Sequence, residues 1–290
     1  GGAADKTYTL NLVKPAYPDI IITEVMTDGY ADYTKKGADN YELIEIYNAS
    51  GEDLNLLDYS IGFIREYPYA NDIVEDGETR ILLECGITHK KLLKLSGFAL
   101  SEIRACLVSH EHKDHSKAVA DLIGRGMEVY MSLGTGEALG LESGYSPIES
   151  MEQFNVGTFD IVPFTAFHDA EEPLGFLIKS RVDGEVLAFA TDTVNLRYRF
   201  PGLNILCIEA NYDKAILERC DRIPDKVKKR ITNSHMEIDV LCDYLKSLDL
   251  SQCREIHLLH LSDATSHEGH FINKVARSVP KGIQITACKK

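Results

Sequence analysis

One seven-residue run, Ser109-His110-Glu111-His112-Lys113-Asp114-His115, restricts what this chain can fold into more than any other segment. It follows Ala105-Cys106-Leu107-Val108, a short, wholly apolar stretch of the kind buried as a strand between helices. It precedes Lys117 to Ile123, where Ala118, Val119, Leu122 and Ile123 recur at helical spacing before Gly124 and Gly126, so a helix is expected there. Three imidazoles and a carboxylate at a strand-to-helix turn suit a metal better than a core. His110 and His112, two residues apart in extended chain, project to one side and can share an ion, while Asp114 and His115, where the chain turns into the helix, can face a second. Zinc takes three or four N and O donors at about 2.0–2.2 Å, so this one loop can serve two centres.

A two-ion site needs further ligands, and in a layered α/β protein they come from other strand ends. Strands are expected at Arg80 to Glu84, Glu128 to Met131, Phe159 to Pro163, Leu174 to Ile178, Val186 to Ala190, Ile205 to Ile208 and Glu255 to Leu259, with a helix near Glu237 to Ser247. His168-Asp169 follows the apolar stretch ending at Phe167. Asp192 follows the strand ending at Ala190, and His260 the one ending at Leu259. Singly, each has an ordinary explanation as a structural histidine or a turn-capping aspartate. After the histidine-rich loop they form a ligand set.

In that order and at those separations, His110-x-His112-x-Asp114-His115, His168, Asp192 and His260 resemble the metallo-β-lactamase-fold superfamily, from about Thr79 to the end of the chain. The resemblance implies an α/β, four-layer αββα fold over residues 71–290, preceded by a β-rich segment over 1–70. It implies two divalent ions, zinc first, with Mn2+ or Fe2+ as alternatives. His110, His112 and His168 would hold one ion and Asp114, His115 and His260 the other, Asp192 would bridge, and a hydroxide between the ions would be the nucleophile. Asp114 thus counts as both ligand and catalytic residue. The chain departs from the family in having Glu84-Cys85-Gly86 where Asp-x-Gly is usual, which leaves an outer-sphere role for the carboxylate. The family's opening strand is sought either in Tyr69 to Val74 or in the segment before it.

Residues Asp19 to Phe63 read as strands, at Ile20 to Val25, Tyr41 to Tyr47, Leu54 to Leu56 and Tyr59 to Phe63, around the turn cluster Asn48 to Asp53. Over about 50 residues this block resembles the opening of a lamin-tail β-sandwich, a domain type that carries no catalysis. Extra strands decorating the larger domain are the alternative.

The superfamily hosts lactam, thioester, phosphodiester and redox chemistry, so other residues must choose among them. Glu209, in Cys207-Ile208-Glu209-Ala210-Asn211, and His235, in Asn233-Ser234-His235-Met236, resemble the Glu-Ala and His-Ser-Thr positions of ribonuclease Z-like phosphodiesterases. There a carboxylate-oriented His protonates the leaving oxygen, a contribution of about 10²–10⁴-fold. A helix-terminal histidine making ordinary hydrogen bonds is the plainer reading of His235. The runs from His168 to Phe176 and Leu258 to Asp263 are similar to small phage and bacterial metallohydrolases, cyclic-nucleotide phosphodiesterases and presumed nucleases among them.

Of 290 residues, 44% are hydrophobic, and 45 acidic side chains face 31 basic ones, for a net charge of -14. A long polyanion gripped by counterion release finds little to hold on such a surface. The one dense basic run, Lys226 to Arg230, reads equally well as a solvated helix face. The expected substrate is therefore a nucleotide, cyclic or as short nucleic acid, bound chiefly through the metals. Hydrolysis of a carboxylic ester, thioester or lactam, and a non-enzymatic interaction protein with structural metals, are the competing readings. Seven scattered cysteines without a CxxC pair suggest reduced thiols and a cytoplasmic setting, in a bacterium or a phage-infected host. No apolar run is long enough for a membrane span. Gly1-Gly2 leaves an earlier leader, and hence secretion, open. The resembled branch implies a homodimer. His267 and His270 are candidates to reach a substrate phosphate or plain loop residues, and His89 and His257 are expected to be structural.

Overall fold

The computed structural model describes residues 20–26, 43–48, 72–96 and 99–288. The chain divides into two units, Gly1–Ile64 and Arg65–Lys290. In the first, β1 (Ile20–Met26) and β2 (Leu43–Asn48) pair antiparallel, with a register shift between Ile22 and Glu24. Both fall where β-branched residues predict strands. The expected strands at Leu54 to Leu56 and Tyr59 to Phe63, and with them most of the lamin-tail resemblance, lie outside the described residues.

The second unit opens with β3 (Asp72–Glu75), paired antiparallel with β4 (Arg80–Leu83). This is the opening strand sought at Tyr69 to Val74. Four residues with an acid at each end carry little strand signal, because the sheet edge exposes part of them. The chain continues through α1 (His89–Leu95), β5 (Ala105–Leu107), α2 (Lys113–Ser116), α3 (Val119–Ile123), β6 (Glu128–Met131), α4 (Leu133–Ala138) and β7 (Ser146–Pro147), giving a sheet in the order β3-β4-β5-β6-β7 that is parallel from β4 onward. The helix expected over Lys117 to Ile123 is α3, and a separate short helix, α2, precedes it within the histidine-rich loop. The Ala118 amide donates to the Cys85 carbonyl at 2.9 Å instead of to a helical carbonyl, which interrupts the helix and anchors the metal loop to the strand beside it.

A second sheet follows, from β8 (Phe154–Val156), β9 (Phe159–Thr165), β10 (Leu174–Ser180), β11 (Val186–Ala190) and β12 (Ile205–Glu209). After α5 (Lys214–Arg219), α6 (Asp225–Ser234) and α7 (Ile238–Lys246) come β13 (Glu255–Leu259), α8 (Glu268–Ala276) and β14 (Gln284–Ala287). The order is β14-β13-β12-β11-β10-β9-β8, antiparallel from β8 to β11 and parallel from β11 to β14. Because β11, β12 and β13 are parallel, the residues after them emerge at one edge.

Side-chain alternation along these strands builds three apolar layers. In β4, Leu82 packs with Leu92 of α1 and Leu122 of α3, while Ile81 and Leu83 face the other sheet. In β12, Leu206 and Ile208 meet Leu241 and Leu245 of α7 and Phe271 of α8, while Cys207 turns inward with Phe176 and Phe189. One core between the sheets and one under each helical layer make the αββα sandwich. Both faces of the strands are buried, so they read as continuous apolar runs, and each large core side chain contributes about 1.5–3 kcal/mol. Asp76 ties the sheets together at one end, accepting from Thr158 Oγ1 at 2.6 Å, Ser180 Oγ at 3.1 Å and the Thr79 amide at 2.9 Å. Among the described residues no helix is long and apolar enough to cross a membrane.

Candidate metal centre

The histidine-rich loop leaves β5 and enters α2, and its path is set by the turn after β4. The Cys85 amide donates to the His115 carbonyl at 2.8 Å. Gly86 lies directly beneath Asp114, where a Cβ would fall 1.6 Å from the Asp114 carbonyl oxygen, so only glycine allows this approach. Glu84 takes the place of the family's usual aspartate. One carboxylate oxygen accepts from the Ser109 amide and the other from His115 Nδ1, both at 2.9 Å, so the carboxylate orients the loop and one of its imidazoles together.

The structure brings all seven candidate ligands into one cleft. His110 Nε2 lies 3.1 Å from His112 Nδ1, and His168 Nε2 3.2 Å from the same atom. Asp192 Oδ2 lies 3.8, 3.4 and 3.5 Å from Nε2 of His110, His168 and His115. Asp114 Oδ2 lies 3.7 Å from His115 Nε2 and 3.4 Å from His260 Nε2. Three donor groups result, His110-His112-His168-Asp192, Asp114-His115-His260 and Asp192-Glu209-His235-His260, with Asp192 belonging to the first and third and its Oδ2 3.5 Å from His115 Nε2 of the second.

Each of four imidazoles commits its other nitrogen outside the cleft. His110 Nδ1 is 2.8 Å from Ser109 Oγ, His115 Nδ1 donates to Glu84, His168 Nδ1 donates to the Ser234 carbonyl at 2.7 Å, and His260 Nδ1 to Glu209 Oε1 at 3.2 Å. That pattern fixes which nitrogen faces inward, as metal-binding histidines require. His115 Nε2 is buried with no hydrogen-bond partner among the described residues, a group left for a cation to satisfy. The donor set fits two divalent ions. Glu84, Asp192 and His260 are three of the four described non-glycine residues with positive φ, at 66°, 38° and 54°. Such conformations cost about 1–3 kcal/mol each and persist where the surroundings enforce them.

The electrostatics are those of ligands awaiting cations. Burial opposes ionisation of Asp192, yet the surrounding imidazoles of His260, His115 and His110 override it and hold the carboxyl well below the usual range. Burial pushes His110 and His168 down, leaving them neutral. Burial is the largest single influence and works against charged His115 and His260, but the carboxylates around each, Asp192 foremost, together outweigh it. His115, with help from Glu84, is raised well above its ordinary value, and His260, with Asp114 and Glu209, to about 9.

Glu209 and His235 meet at the rear of the second group. Glu209 is fully buried at the end of β12. Its Oε1 accepts from His235 Nδ1 at 2.6 Å and from His260 Nδ1 at 3.2 Å, and its Oε2 from the amides of Thr193 and Met236 at 2.7 and 3.1 Å. His235 is the C-cap of α6, and α7 starts three residues on. Its ring centre lies 4.9 Å from that of His168 and 5.2 Å from that of His260.

The remaining histidines lie apart from these groups. His257 pairs with Glu255 at 3.0 Å, His89 begins α1, and His267 caps α8, accepting from the His270 amide at 3.3 Å. His270 lies 3.4 Å from Asp213. Lys226 to Arg230 lie on α6, and Arg230 reaches back to Asp169 at 2.6 Å. Sequence reasoning missed three supports: Ser109, the Ser234 carbonyl, and Asn211, whose side-chain Nδ2 donates to the His260 carbonyl at 2.9 Å. Each adjoins or lies within a motif that carries a predicted site residue, and adjacency is the only signal they give.

A family model described as "Beta-lactamase superfamily domain" matches residues 79–258. The chain belongs to this family. Within it, an exodeoxyribonuclease YycJ of Bacillus anthracis is 28% identical over 204 residues, 64% of this chain and 75% of that protein. An exodeoxyribonuclease WalJ of Streptococcus pneumoniae is 26% identical over 211 residues, 65% of this chain and 76% of the relative. The crystal structure of human tRNase Z, short form, superposes with a TM-score of 0.51 at 14% identity, over 75% of this chain and 88% of its own, and shares the fold.

Proposed function

We infer that the protein is a metal-dependent phosphodiesterase that cleaves DNA or a short nucleic acid. The observation that carries this reading is the sharing of one buried Glu209 oxygen between His235 and His260, which holds an imidazole against the candidate ligands where a leaving oxygen departs. The names of the relatives direct the substrate toward DNA.

Two divalent ions, when bound, supply Lewis acidity toward a phosphoryl oxygen and a nucleophilic water at neutral pH. His110, His112 and His168 would hold one, Asp114, His115 and His260 the other, with Asp192 between them. Glu84 and Ser109 keep the loop's imidazoles turned inward. Glu209 fixes His235 with Nδ1–H toward the carboxylate, which leaves Nε2 as the nitrogen that takes up a second proton, forming an imidazolium the carboxylate stabilises, and gives that proton to the leaving alkoxide. An alkoxide is a poor leaving group at neutral pH, which is why a phosphodiesterase gains from this acid and a lactamase or thioesterase has less use for it.

The test is metal analysis of the purified protein followed by turnover of end-labelled single- and double-stranded DNA, short RNA, cyclic nucleotides and bis-p-nitrophenyl phosphate. Metal-dependent cleavage of DNA, lost in His112→Ala, is expected. A metal-loaded protein inert toward all these phosphodiesters but active on a lactam or thioester overturns the reading.

A further inference from the structure

A cavity of about 400 Å³ opens beside the metal ligands and shares His168 with them. Small-molecule sites range over about 300–1,000 Å³. Its walls include Phe167, Pro173 and Val194, the acidic Asp169, and Asn195 and Asn233. No lysine or arginine lines it, and nearby Arg230 is already paired with Asp169. The cavity is thus unsuited to a second phosphate and suited to something neutral, flat and amphipathic.

The walls are built into the site. The Phe167 amide donates to Thr193 Oγ1 at 3.0 Å and the Val194 amide to the Phe167 carbonyl at 2.9 Å, so the segment carrying Asp192 continues directly into the cavity wall. The Arg197 guanidinium sits 5.0 Å from the Phe167 ring centre and steadies it. Asn195 Oδ1 is buried with no hydrogen-bond partner among the described residues, so the fold does not use it. Asn233 is exposed on the last turn of α6, one residue before the carbonyl that holds His168 and two before His235.

We propose that this cavity is a nucleobase subsite, receiving the base of the nucleotide whose phosphodiester lies on the metal ligands. Aromatic and apolar walls bury the base faces, and carboxamides, which both donate and accept, match its polar edge. The proposal rests on the phosphodiesterase reading and names what that site recognises. Stacking and edge contacts of this kind change affinity by about tenfold or more.

In the metal-loaded protein, kcat/KM is compared for thymidine 5′-(p-nitrophenyl phosphate) and for methyl p-nitrophenyl phosphate, which has the same leaving group and no base. The nucleoside ester is expected to be preferred at least tenfold. That ratio is expected to collapse in Val194→Phe, which fills the cavity, and to fall in Asn233→Ala, an exposed position that leaves folding intact. Equal rates for the two esters, or a ratio unmoved by both variants, overturn the subsite while the phosphodiesterase reading stands. If neither ester turns over, the DNA, RNA and cyclic-nucleotide panel decides the phosphodiesterase reading, and calorimetry decides the subsite separately. Tighter binding of thymidine 5′-monophosphate than of 2-deoxyribose 5-phosphate, abolished in Val194→Phe, supports it, and equal binding overturns it.

Discussion

Gly86 supports Asp114 through bare backbone: a Cβ on the glycine would sit 1.6 Å from the Asp114 carbonyl oxygen and 2.8 Å from the His115 nitrogen. Gly86→Ala therefore forces the metal loop away from β4. Overpacking of this kind costs about 1–3 kcal/mol, which at about 2–4 °C per kcal/mol lowers Tm by several degrees. The metal content of the purified variant should fall with it, which elemental analysis reads.

His235 and Glu209 should separate in their effects. His235→Ala is expected to lower kcat on DNA by about 10²–10⁴ with metal content unchanged, since that ring is spent on proton transfer. Glu209→Gln should lower kcat and also weaken metal binding by about 10–100-fold, because the same oxygen accepts from His260. Equal metal content in both variants would contradict the shared role.

Metal uptake should release protons. His115 is raised well above its ordinary value and His260 to about 9, with Asp192 the strongest force acting against burial in both. Both carry protons at pH 7 in the metal-free chain, and coordination by Nε2 displaces them. Affinity for zinc should rise with pH through about 9, the value at which His260 loses its proton. Titration calorimetry in buffers of different ionisation enthalpy counts the protons released.

Acid should loosen the join between the sheets. Burial is the largest single influence and opposes the charge on Asp76, but hydrogen bonds from Thr158, Thr79, Glu78 and Ser180 together hold its pKa below the ordinary value. A carboxyl depressed in the folded state stabilises it above the unfolded pKa of about 3.9, and that contribution is lost as pH falls through the folded value. Asp76→Asn should lower Tm by a few degrees at pH 7, with the difference from the wild type closing below about pH 4.

Strands β9 to β13 of the second sheet and the clustering of the candidate ligands were legible in sequence for one reason, whereas the edge strands β8 and β14 were not foreseen. Strands buried on both faces are unbroken apolar runs, and ligands lie where such runs stop, as at Ala190 before Asp192 and Leu259 before His260. What escaped is what depends on neighbours distant in sequence. The break between α2 and α3 arises because the Ala118 amide is taken by Cys85. Strand β3 is too short and too acidic to stand out alone. Ser234 contributes a main-chain oxygen, for which no residue type is diagnostic, and the cavity beside His168 is assembled from four separate stretches of chain.

The parallel run of β11, β12 and β13 puts Asp192, Glu209 and His260 at one edge, so the turns feeding the opposite edge, at Asp183-Gly184, Pro201-Gly202 and Ser251-Gln252, carry none of the chemistry. Those turns are attachment points. A fluorophore, an affinity tag or a whole inserted domain placed there would report on the enzyme or immobilise it from the end of the sheet opposite Asp192, Glu209 and His260.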